Sequence, residues 1–104
     1  DVRDIVLADY IEETLKSLRP KLKGTHHAIA VACDPELKVR SVPGAISQIL
    51  TNLVINSIVH GFEHIDQGHI LIAVRRVDGM LHMDYQDDGM GMPADAIRHA
   101  AEAD

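Results

Sequence analysis

Hydrophobic residues recur at helical spacing between Pro43 and Phe62, and Asn52, Asn56 and His60 interrupt them on one side. At about 100° per residue, the arc predicted to face the core consists of Ile46, Ile49, Leu50, Leu53, Val54 and Ser57. Asn52, Asn56 and His60 follow one another at a spacing of four residues, which is about one helical turn, so they stack along one edge. Because an unpaired carboxamide at the border of a core costs about 1–3 kcal/mol, this polar edge predicts a bound partner.

The pattern before this helix predicts a short strand and a first helix. Residues 1–7 alternate weakly between polar and apolar and predict an edge strand. A helix is predicted over 9–22, with Asp9 as its N-cap. Pro20 is expected to kink or end this helix, and Gly24 to close it.

The remaining segments alternate in the manner of strands, apart from the last one. They predict strands over 27–33, 37–42, 68–77 and 80–86 and a final short helix over 93–103. Asp78 and Gly79, between the last two strands, are a strong signal for a two-residue hairpin. The order β-α-β-β-α-β-β-α predicts an α/β (α+β) fold, a two-layer sandwich whose mixed, mostly antiparallel sheet is covered on one face by helices.

Length and composition narrow the class of protein. The chain has 104 residues, 46% of them hydrophobic, and a formal net charge of −6, which predicts one small domain. The absence of a basic cluster argues against a nucleic-acid partner or direct contact with an anionic membrane. Cys33 is the single cysteine, so neither an internal disulfide nor a multi-cysteine metal site is expected. No apolar run reaches the length of about 20 residues that a membrane span needs, so we expect a cytoplasmic location, either free or as part of a membrane-bound sensor.

The predicted last strand runs into the glycine-rich sequence DDGMGMP at 87–93. Alone, this sequence is typical of a turn that closes a strand, and Asn52 and Asn56 alone could be surface residues or caps of a loop. His60, alone, is most simply exposed or satisfied. The combination is more specific, because an Asn-x-x-x-Asn helix edge is followed by a hairpin and then by Asp-x-Gly-x-Gly-x-Pro.

This ordered combination resembles the ATP-binding domain of sensor histidine kinases, within the Bergerat-fold ATPase superfamily. QILTNLVINSIVHGF looks like the asparagine box of that family, DDGMGMP looks like its first glycine box, and the preceding 30 or so residues resemble the segment upstream of the asparagine box. The resemblance implies binding of ATP and Mg²⁺ and transfer of the γ-phosphoryl group to a histidine on a separate dimerisation domain. A response regulator is the further partner that it implies.

The resemblance also implies roles for the polar edge. Asn56 corresponds to the magnesium ligand, and Asn52 supports the phosphates and the metal. Many members of the family carry Lys at the position of Val59, so here His60 is expected to supply the polar contact to the phosphates. Asn52 and His60 are therefore the candidate catalytic residues.

On the strand side, the resemblance implies that Asp87 accepts a hydrogen bond from the exocyclic amine of adenine. Gly89 and Gly91 would let the backbone approach the base closely and free the chain for a lid. Met92 is a candidate for apolar packing near the base. The nucleotide-binding residues expected from the resemblance are Asn52, Asn56, His60, Asp87, Gly89, Gly91 and Met92.

Asn52 distinguishes a kinase from a hydrolase within the superfamily. The hydrolases carry Glu at this position, where it serves as the general base that activates water. An amide cannot take up a proton, so the resemblance favours phosphoryl transfer. Two alternatives remain open: a regulatory module like the anti-sigma-factor serine kinases, which share the Asn-x-x-x-His-Gly pattern but usually keep the Glu, and a degenerate interaction domain.

Residues 1–104 are expected to be a partial domain, because neither a second glycine box nor a phenylalanine-containing lid box follows DDGMGMP. The phosphoacceptor histidine box is also missing. By itself this chain is therefore expected to lack autokinase activity.

Overall fold

Six β-strands form one sheet within the part of the chain that the structure describes, which is residues 2–88 in full and the backbone of residues 95–103. In this computed structural model the elements are β1 (Arg3–Val6), α1 (Leu7–Leu18), β2 (Ala28–Ala32), β3 (Lys38–Ser41), α2 (Pro43–Asn56), β4 (His69–Val77), β5 (Met80–Asp87) and β6 (Asp95–Ala103). A 3₁₀ turn, Arg19–Leu22, follows α1, and a π-helical turn, Ser57–Gly61, follows α2.

The strands lie side by side in the order β1-β3-β6-β5-β4-β2. β2 runs parallel to β4, and the other neighbouring pairs are antiparallel. This mixed, mostly antiparallel sheet with helices packed on it confirms the predicted two-layer α+β fold. None of the helices in the described residues is both long enough and apolar enough to cross a membrane.

The core lies between the helices and one face of the sheet, because the strands alternate between buried and exposed side chains. In β4, Ile70 and Ile72 are buried while His69 and Leu71 are exposed. The buried face of β5 consists of Leu81, Met83 and Tyr85. The helices contribute side chains that are at most 1% exposed: Leu7, Ile11, Leu15, Ile46, Leu50 and Val54.

The hairpin between β4 and β5 has the turn that its sequence predicts. Asp78 and Gly79 both have positive φ, at 52° and 76°, as a two-residue type I′ turn requires. Val77 pairs with Met80 directly beside the turn. The register of the hairpin follows, and it places Ile70 opposite Asp87 at the far end.

The start of α1 differs from the prediction in detail. Val6 is the N-cap residue and Asp9 lies inside the first turn, where a carboxylate still interacts favourably with the helix dipole. The predicted effect of Pro20 is confirmed, because α1 ends at Leu18 and Pro20 lies in the 3₁₀ turn. Gly24 follows with φ of +83°, a conformation that suits glycine.

The predicted final helix over 93–103 is wrong over its described part, where the backbone of Asp95–Ala103 is the strand β6. β6 pairs with β5 on one side and with β3 on the other. Helical propensity differs among ordinary residues by at most about 0.7 kcal/mol each, which two rows of inter-strand hydrogen bonds outweigh. Both rows depend on strands distant in sequence, and local composition cannot reveal them.

Gly68 lies in a contact too close for a larger residue. A Cβ atom at this position would meet three ring atoms of Phe62 at 2.6 Å. The ring cannot move away easily, since Phe62 is 3% exposed and its ring centroid lies 4.6 Å from that of His27. The Gly68 backbone is held as well: its N–H donates to His27 Nδ1 at 2.8 Å, and its carbonyl accepts from the Ala28 N–H at 2.9 Å.

We therefore expect Gly68→Ala to lower the free energy of unfolding by about 1–3 kcal/mol, the usual cost of overpacking a filled site. Gly44→Ala is the matched control, because its Cβ would have no atom within 4 Å and Ala is favoured over Gly in a helix by about 1 kcal/mol. Urea denaturation of both variants measures the difference. Equal stabilities for the two variants would contradict the role assigned to the Phe62 contact.

Candidate functional site

The outer edge of α2 carries the carboxamides that the sequence singles out. Asn52 and Asn56 are exposed, and His60 is exposed in the π turn that follows. Among the described residues, none of these three side chains takes part in a hydrogen bond or ion pair. Two oxygen-bearing amides one turn apart, with no protein partner in that part of the chain, are available to an external ligand.

The π turn changes the helix at the point where this edge meets the core. The Ser57 N–H contacts the carbonyls of both Leu53 and Val54, and the Ser57 carbonyl accepts from the Phe62 N–H at 2.8 Å. This last bond spans five residues, as a π turn requires. Because a π turn has more residues per turn than an α-helix, His60 departs from the regular spacing of four that Asn52 and Asn56 keep.

Ser57 joins α2 to the end of β5 through a chain of hydroxyl groups. Its Oγ donates to Asp87 Oδ2 at 2.5 Å and lies 2.6 Å from the Tyr85 hydroxyl. Since Ser57 has one proton and gives it to the carboxylate, Tyr85 is the donor between the two hydroxyls. The Leu53 carbonyl also lies near the Tyr85 hydroxyl, at 3.1 Å, but the shorter 2.6 Å approach to Ser57 Oγ takes the single phenolic proton. The network therefore points from Tyr85 through Ser57 to Asp87.

Burial extends the pH range over which Tyr85 stays a donor. Burial raises the pKa of Tyr85 to about 12, against a smaller lowering effect of its hydrogen bond with Ser57, and the Asp87 charge adds a further increase. Tyr85 is 2% exposed and Ser57 is 0% exposed, so water does not compete for these hydroxyls. At neutral pH the phenol keeps its proton and the direction of the network is preserved.

Asp88 is bonded to His69 on the exposed surface, at the same end of the sheet. Its Oδ1 accepts from the His69 N–H at 2.7 Å, and its Oδ2 lies 2.8 Å from His69 Nδ1. The backbone is joined too, since the Asp88 N–H donates to the His69 carbonyl at 3.2 Å. The backbone N–H of His69, followed by its side chain, lowers the pKa of the Asp88 carboxyl. Asp87 is thus bonded to α2 on its buried side, and the next residue, Asp88, is bonded to the start of β4 on the surface.

A cavity of about 330 Å³ borders this end of the sheet. Its lining residues come from β2, β4 and β5 and the residue after β5: Ala28, Ile29, Ala30, His69, Ile70, Leu71, Gln86, Asp87 and Asp88. Asn52 and Asn56 do not line it, because much of the lining belongs to the sheet face that the helices leave open. A larger depression of about 560 Å³ lies among charged side chains on the surface of α1, away from the polar edge.

The donor set of the α2 edge fits a magnesium ion. Mg²⁺ takes oxygen ligands and commonly keeps few protein ligands beside the phosphates of its nucleotide. A carboxamide oxygen of Asn56 meets that requirement. Within the described residues no cluster of three His, Cys, Asp or Glu side chains could hold a metal ion, so a metal at this site would depend on amide and phosphate oxygens.

The structure brings some of the predicted site residues together. Asp87 is bonded to Ser57, the residue after Asn56, so the strand end and the α2 edge belong to one region. Gly89, Gly91 and Met92 lie outside the described residues. The proposed roles of Asn52, Asn56, His60 and Asp87 stay predictions.

Ser57 and Tyr85 are the site residues that the sequence prediction missed. The sequence does contain a signal for both residues, because Ser57 lies on the core-facing arc of the helix and Tyr85 lies on the buried face of β5. Buried hydroxyl groups nearly always have hydrogen-bond partners. Two inward hydroxyls therefore indicated a polar network, although not its partners.

A match to a family model shows which protein family the chain belongs to. The model described as histidine kinase-, DNA gyrase B-, and HSP90-like ATPase matches residues 41–103. The chain belongs to this family. The matched range contains α2, the π turn and the strands β4, β5 and β6, so the carboxamide edge of α2 and the strand end with Asp87 both lie within the ATPase-family match. The predicted resemblance is confirmed.

Two relatives of this ATPase-family domain are regulatory proteins. The sensory/regulatory protein RpfC of Xanthomonas campestris pv. campestris is 30% identical over 111 residues, which cover 99% of this chain and 15% of RpfC. The anti-sigma F factor of Bacillus licheniformis is 33% identical over 48 residues, 46% of this chain and 33% of that factor. The chain therefore spans a third or less of the length of these relatives.

The fold is that of solved histidine kinase catalytic domains. The nucleotide-free catalytic domain of the histidine kinase ThkA superposes with a TM-score of 0.76 and 20% identity, over 89% of this chain and 62% of that one. ThkA in complex with the response regulator protein TrrA gives a TM-score of 0.73 and 22% identity, over 88% and 27% of the two chains. Family and fold together show a domain of the histidine kinase-, DNA gyrase B-, and HSP90-like ATPase family.

Proposed function

We propose that this domain binds Mg-ATP and, as part of a sensor histidine kinase, donates the γ-phosphoryl group to a histidine on a separate dimerisation domain. The observation that carries the proposal is the 2.5 Å bond from Ser57 to Asp87. This bond ties the helix with the exposed carboxamides to the strand end with the candidate adenine acceptor. A nucleotide that spans this region would meet Asp87 at its base and the α2 edge at its phosphates.

In the proposed complex Asn56 holds Mg²⁺ through its carboxamide oxygen. A neutral ligand leaves the positive charge of the ion available to the phosphates, where the ion neutralises charge that develops during phosphoryl transfer. Asn52, one turn earlier on the same exposed edge, supports the phosphate groups with its amide. His60 supplies a further polar contact from the π turn. Positioning by these side chains is the main contribution of the domain to catalysis.

Asn52 also limits which reaction the domain performs. General-base activation of water needs a side chain that can accept a proton, and a carboxamide does not do so. Among the described residues, no carboxylate takes the place of Asn52 on the exposed α2 edge formed with Asn56 and His60. The bound γ-phosphoryl group is therefore protected from hydrolysis by this domain and is kept for a protein acceptor.

The acceptor and the downstream partner lie outside this chain in the proposal. RpfC is named as a sensory and regulatory protein, and the related fold of ThkA was solved with a response regulator. Both observations support a signalling role in which a response regulator receives the phosphoryl group. We further propose that residues 1–104 are a partial domain, which a lid and a second glycine box would complete.

A sigma-factor-binding serine kinase module is the second candidate, favoured by the 33% identity with the anti-sigma F factor. Asn52 argues against it, because such kinases usually carry Glu at this position. A binding assay with a sigma factor distinguishes the two candidates. Tight binding of a sigma factor would favour the anti-sigma function over the histidine kinase.

Calorimetric titration with Mg-ADP, and with ADP in EDTA, tests the nucleotide site. We expect Asn56→Ala to remove the magnesium-dependent part of the affinity, about a tenfold loss for one charge-assisted ligand contact, while affinity for metal-free ADP is retained. Gln48→Ala is the matched control, since Gln48 is an exposed carboxamide one turn before Asn52 on the same helix. Absence of heat at millimolar Mg-ADP, in a longer chain that includes the lid, would refute nucleotide binding and leave an interaction domain.

A further inference from the structure

The buried hydroxyl groups of Ser57 and Tyr85 join α2 to β5, and the proposed function assigns them no role. We propose that Ser57 is a positioning residue that sets the orientation of the Asp87 carboxylate, and thereby the selectivity for nucleotides whose base carries an exocyclic amine. This inference rests on the proposed nucleotide site and assigns a specificity residue to it. Ser57 acts through Asp87 and does not itself contact the base.

Ser57 is held rigidly in the structure. Its side chain is 0% exposed, and its backbone is held from both sides, by the Leu53 and Val54 carbonyls and by the Phe62 N–H. Its Oγ has a second partner in the Tyr85 hydroxyl at 2.6 Å. A donor whose rotamer is fixed by such contacts can hold a neighbouring group in one geometry.

Asp87 lies at the strand end that is bonded to α2. Asp87 is the last residue of β5, and its side chain is half-buried. Ser57 donates to Oδ2 at 2.5 Å, a short, charge-assisted bond. A carboxylate has about four lone-pair sites on its two oxygens, so the group bonded to Ser57 retains the capacity to accept from a ligand.

The hydrogen bonds between the hydroxyl groups all point toward Asp87. Tyr85 donates to Ser57 and Ser57 donates to Asp87, and the pKa of Tyr85, raised to about 12, keeps this order at neutral pH. Asp87 is therefore held as an acceptor. An acceptor matches the exocyclic amine of adenine. Hypoxanthine carries a carbonyl oxygen at the same position, so two acceptors would face each other and binding of hypoxanthine would be weaker.

The experiment compares the affinities for Mg-ADP and Mg-IDP in the unmodified chain and in Ser57→Ala, by calorimetry. We expect Ser57→Ala to weaken Mg-ADP by about tenfold, as loss of one hydrogen bond to a charged group implies, and to change Mg-IDP by less than about twofold. The ratio of the Mg-ADP affinity to the Mg-IDP affinity should therefore fall. A merely structural role would lower both affinities together and leave the ratio unchanged.

Ser47→Ala on the same helix, outside the hydroxyl network, is the matched control and should keep the ratio. If circular dichroism finds Ser57→Ala unfolded, Ser57→Cys replaces it, since a thiol is nearly isosteric and a weak donor; at least a threefold fall in the ratio is then expected by the same argument. An unchanged ratio in the folded variant overturns the positioning role. Absence of binding by the unmodified protein, in the longer chain that includes the lid, refutes instead the proposed nucleotide site on which the inference rests.

Discussion

Asp87→Asn is expected to weaken Mg-ADP binding by about a hundredfold, as removal of a charged hydrogen-bond acceptor in a partly buried site implies. The substitution keeps the size of the side chain. Ser57 would still donate to the amide oxygen, since its Oγ lies 2.5 Å from Oδ2 of Asp87. The amide nitrogen would then face the exocyclic amine of adenine, and two donors would oppose each other.

The same substitution should reverse the preference between bases. An amide N–H₂ can donate to the carbonyl oxygen of hypoxanthine, which the Asp87 carboxylate repels. Mg-IDP should therefore lose less affinity than Mg-ADP, or gain some, in the variant. Calorimetry with both nucleotides measures the change, and a site that reads the base through Asp87 must show it.

Asp88→Asn is the matched control for charge. It removes the same charge one residue later, where the carboxylate is bonded to His69 on the surface. We expect this variant to keep the ratio of Mg-ADP to Mg-IDP affinity. If Asp88→Asn changed the ratio as strongly as Asp87→Asn, general electrostatics would explain the effect and the assignment of Asp87 to the base would be wrong.

The free energy of unfolding is expected to fall by roughly 2 kcal/mol as pH rises from 10 to 12, through Tyr85 alone. Its pKa rises from an ordinary 10.0 to about 12 in the folded protein, chiefly by burial. The folded state therefore holds the phenolic proton more tightly than the unfolded chain does. The corresponding stability is complete below pH 10 and is lost as pH approaches the folded pKa.

Denaturation in urea at pH 9 to 12 measures this loss, with Tyr85→Phe as the control that lacks the titrating hydroxyl. The difference in slope between the two proteins isolates Tyr85 from the lysines that titrate in the same range. Tyr10→Phe provides the second measurement, since it leaves Tyr85 as the single tyrosine of the chain. Its phenolate absorbance should appear at about pH 12, and appearance near pH 10 would show that the hydroxyl is open to solvent.

Elements with strong local patterns could be predicted well from the sequence. The Asp78-Gly79 turn, the alternation in β4 and β5 and the helix that starts at Pro43 all depend on residues close in the chain. The sequence places the N-cap of α1 at Asp9, three residues after its position at Val6, because Asp9 is an acceptable cap and also an acceptable first-turn residue. β6 was mistaken for a helix, because its pairing with β3 and β5 is invisible to local composition.

In the candidate site, too, the sequence predicts the residues with a local pattern but not the contacts between distant residues. Asn52 and Asn56 were found because polar side chains at a spacing of four break an apolar pattern, and Asp87 because a glycine-rich sequence follows it. Ser57 was assigned to the core for its place on the apolar arc, and it is buried as expected. Its bonds to Asp87 and Tyr85 join residues about 30 positions apart, so no spacing rule could connect them.

The sequence by itself therefore determined the apolar helix with its carboxamide edge, the hairpin, and the acidic residue at the strand end. Local periodicity and turn chemistry are sufficient for these features, since they act between residues a few positions apart. Only the tertiary structure decided that α2 changes to a π turn at Ser57, and that this turn is bonded through Ser57 to Asp87. That decision rests on burial, because hydroxyl groups removed from water must find partners wherever the fold places them.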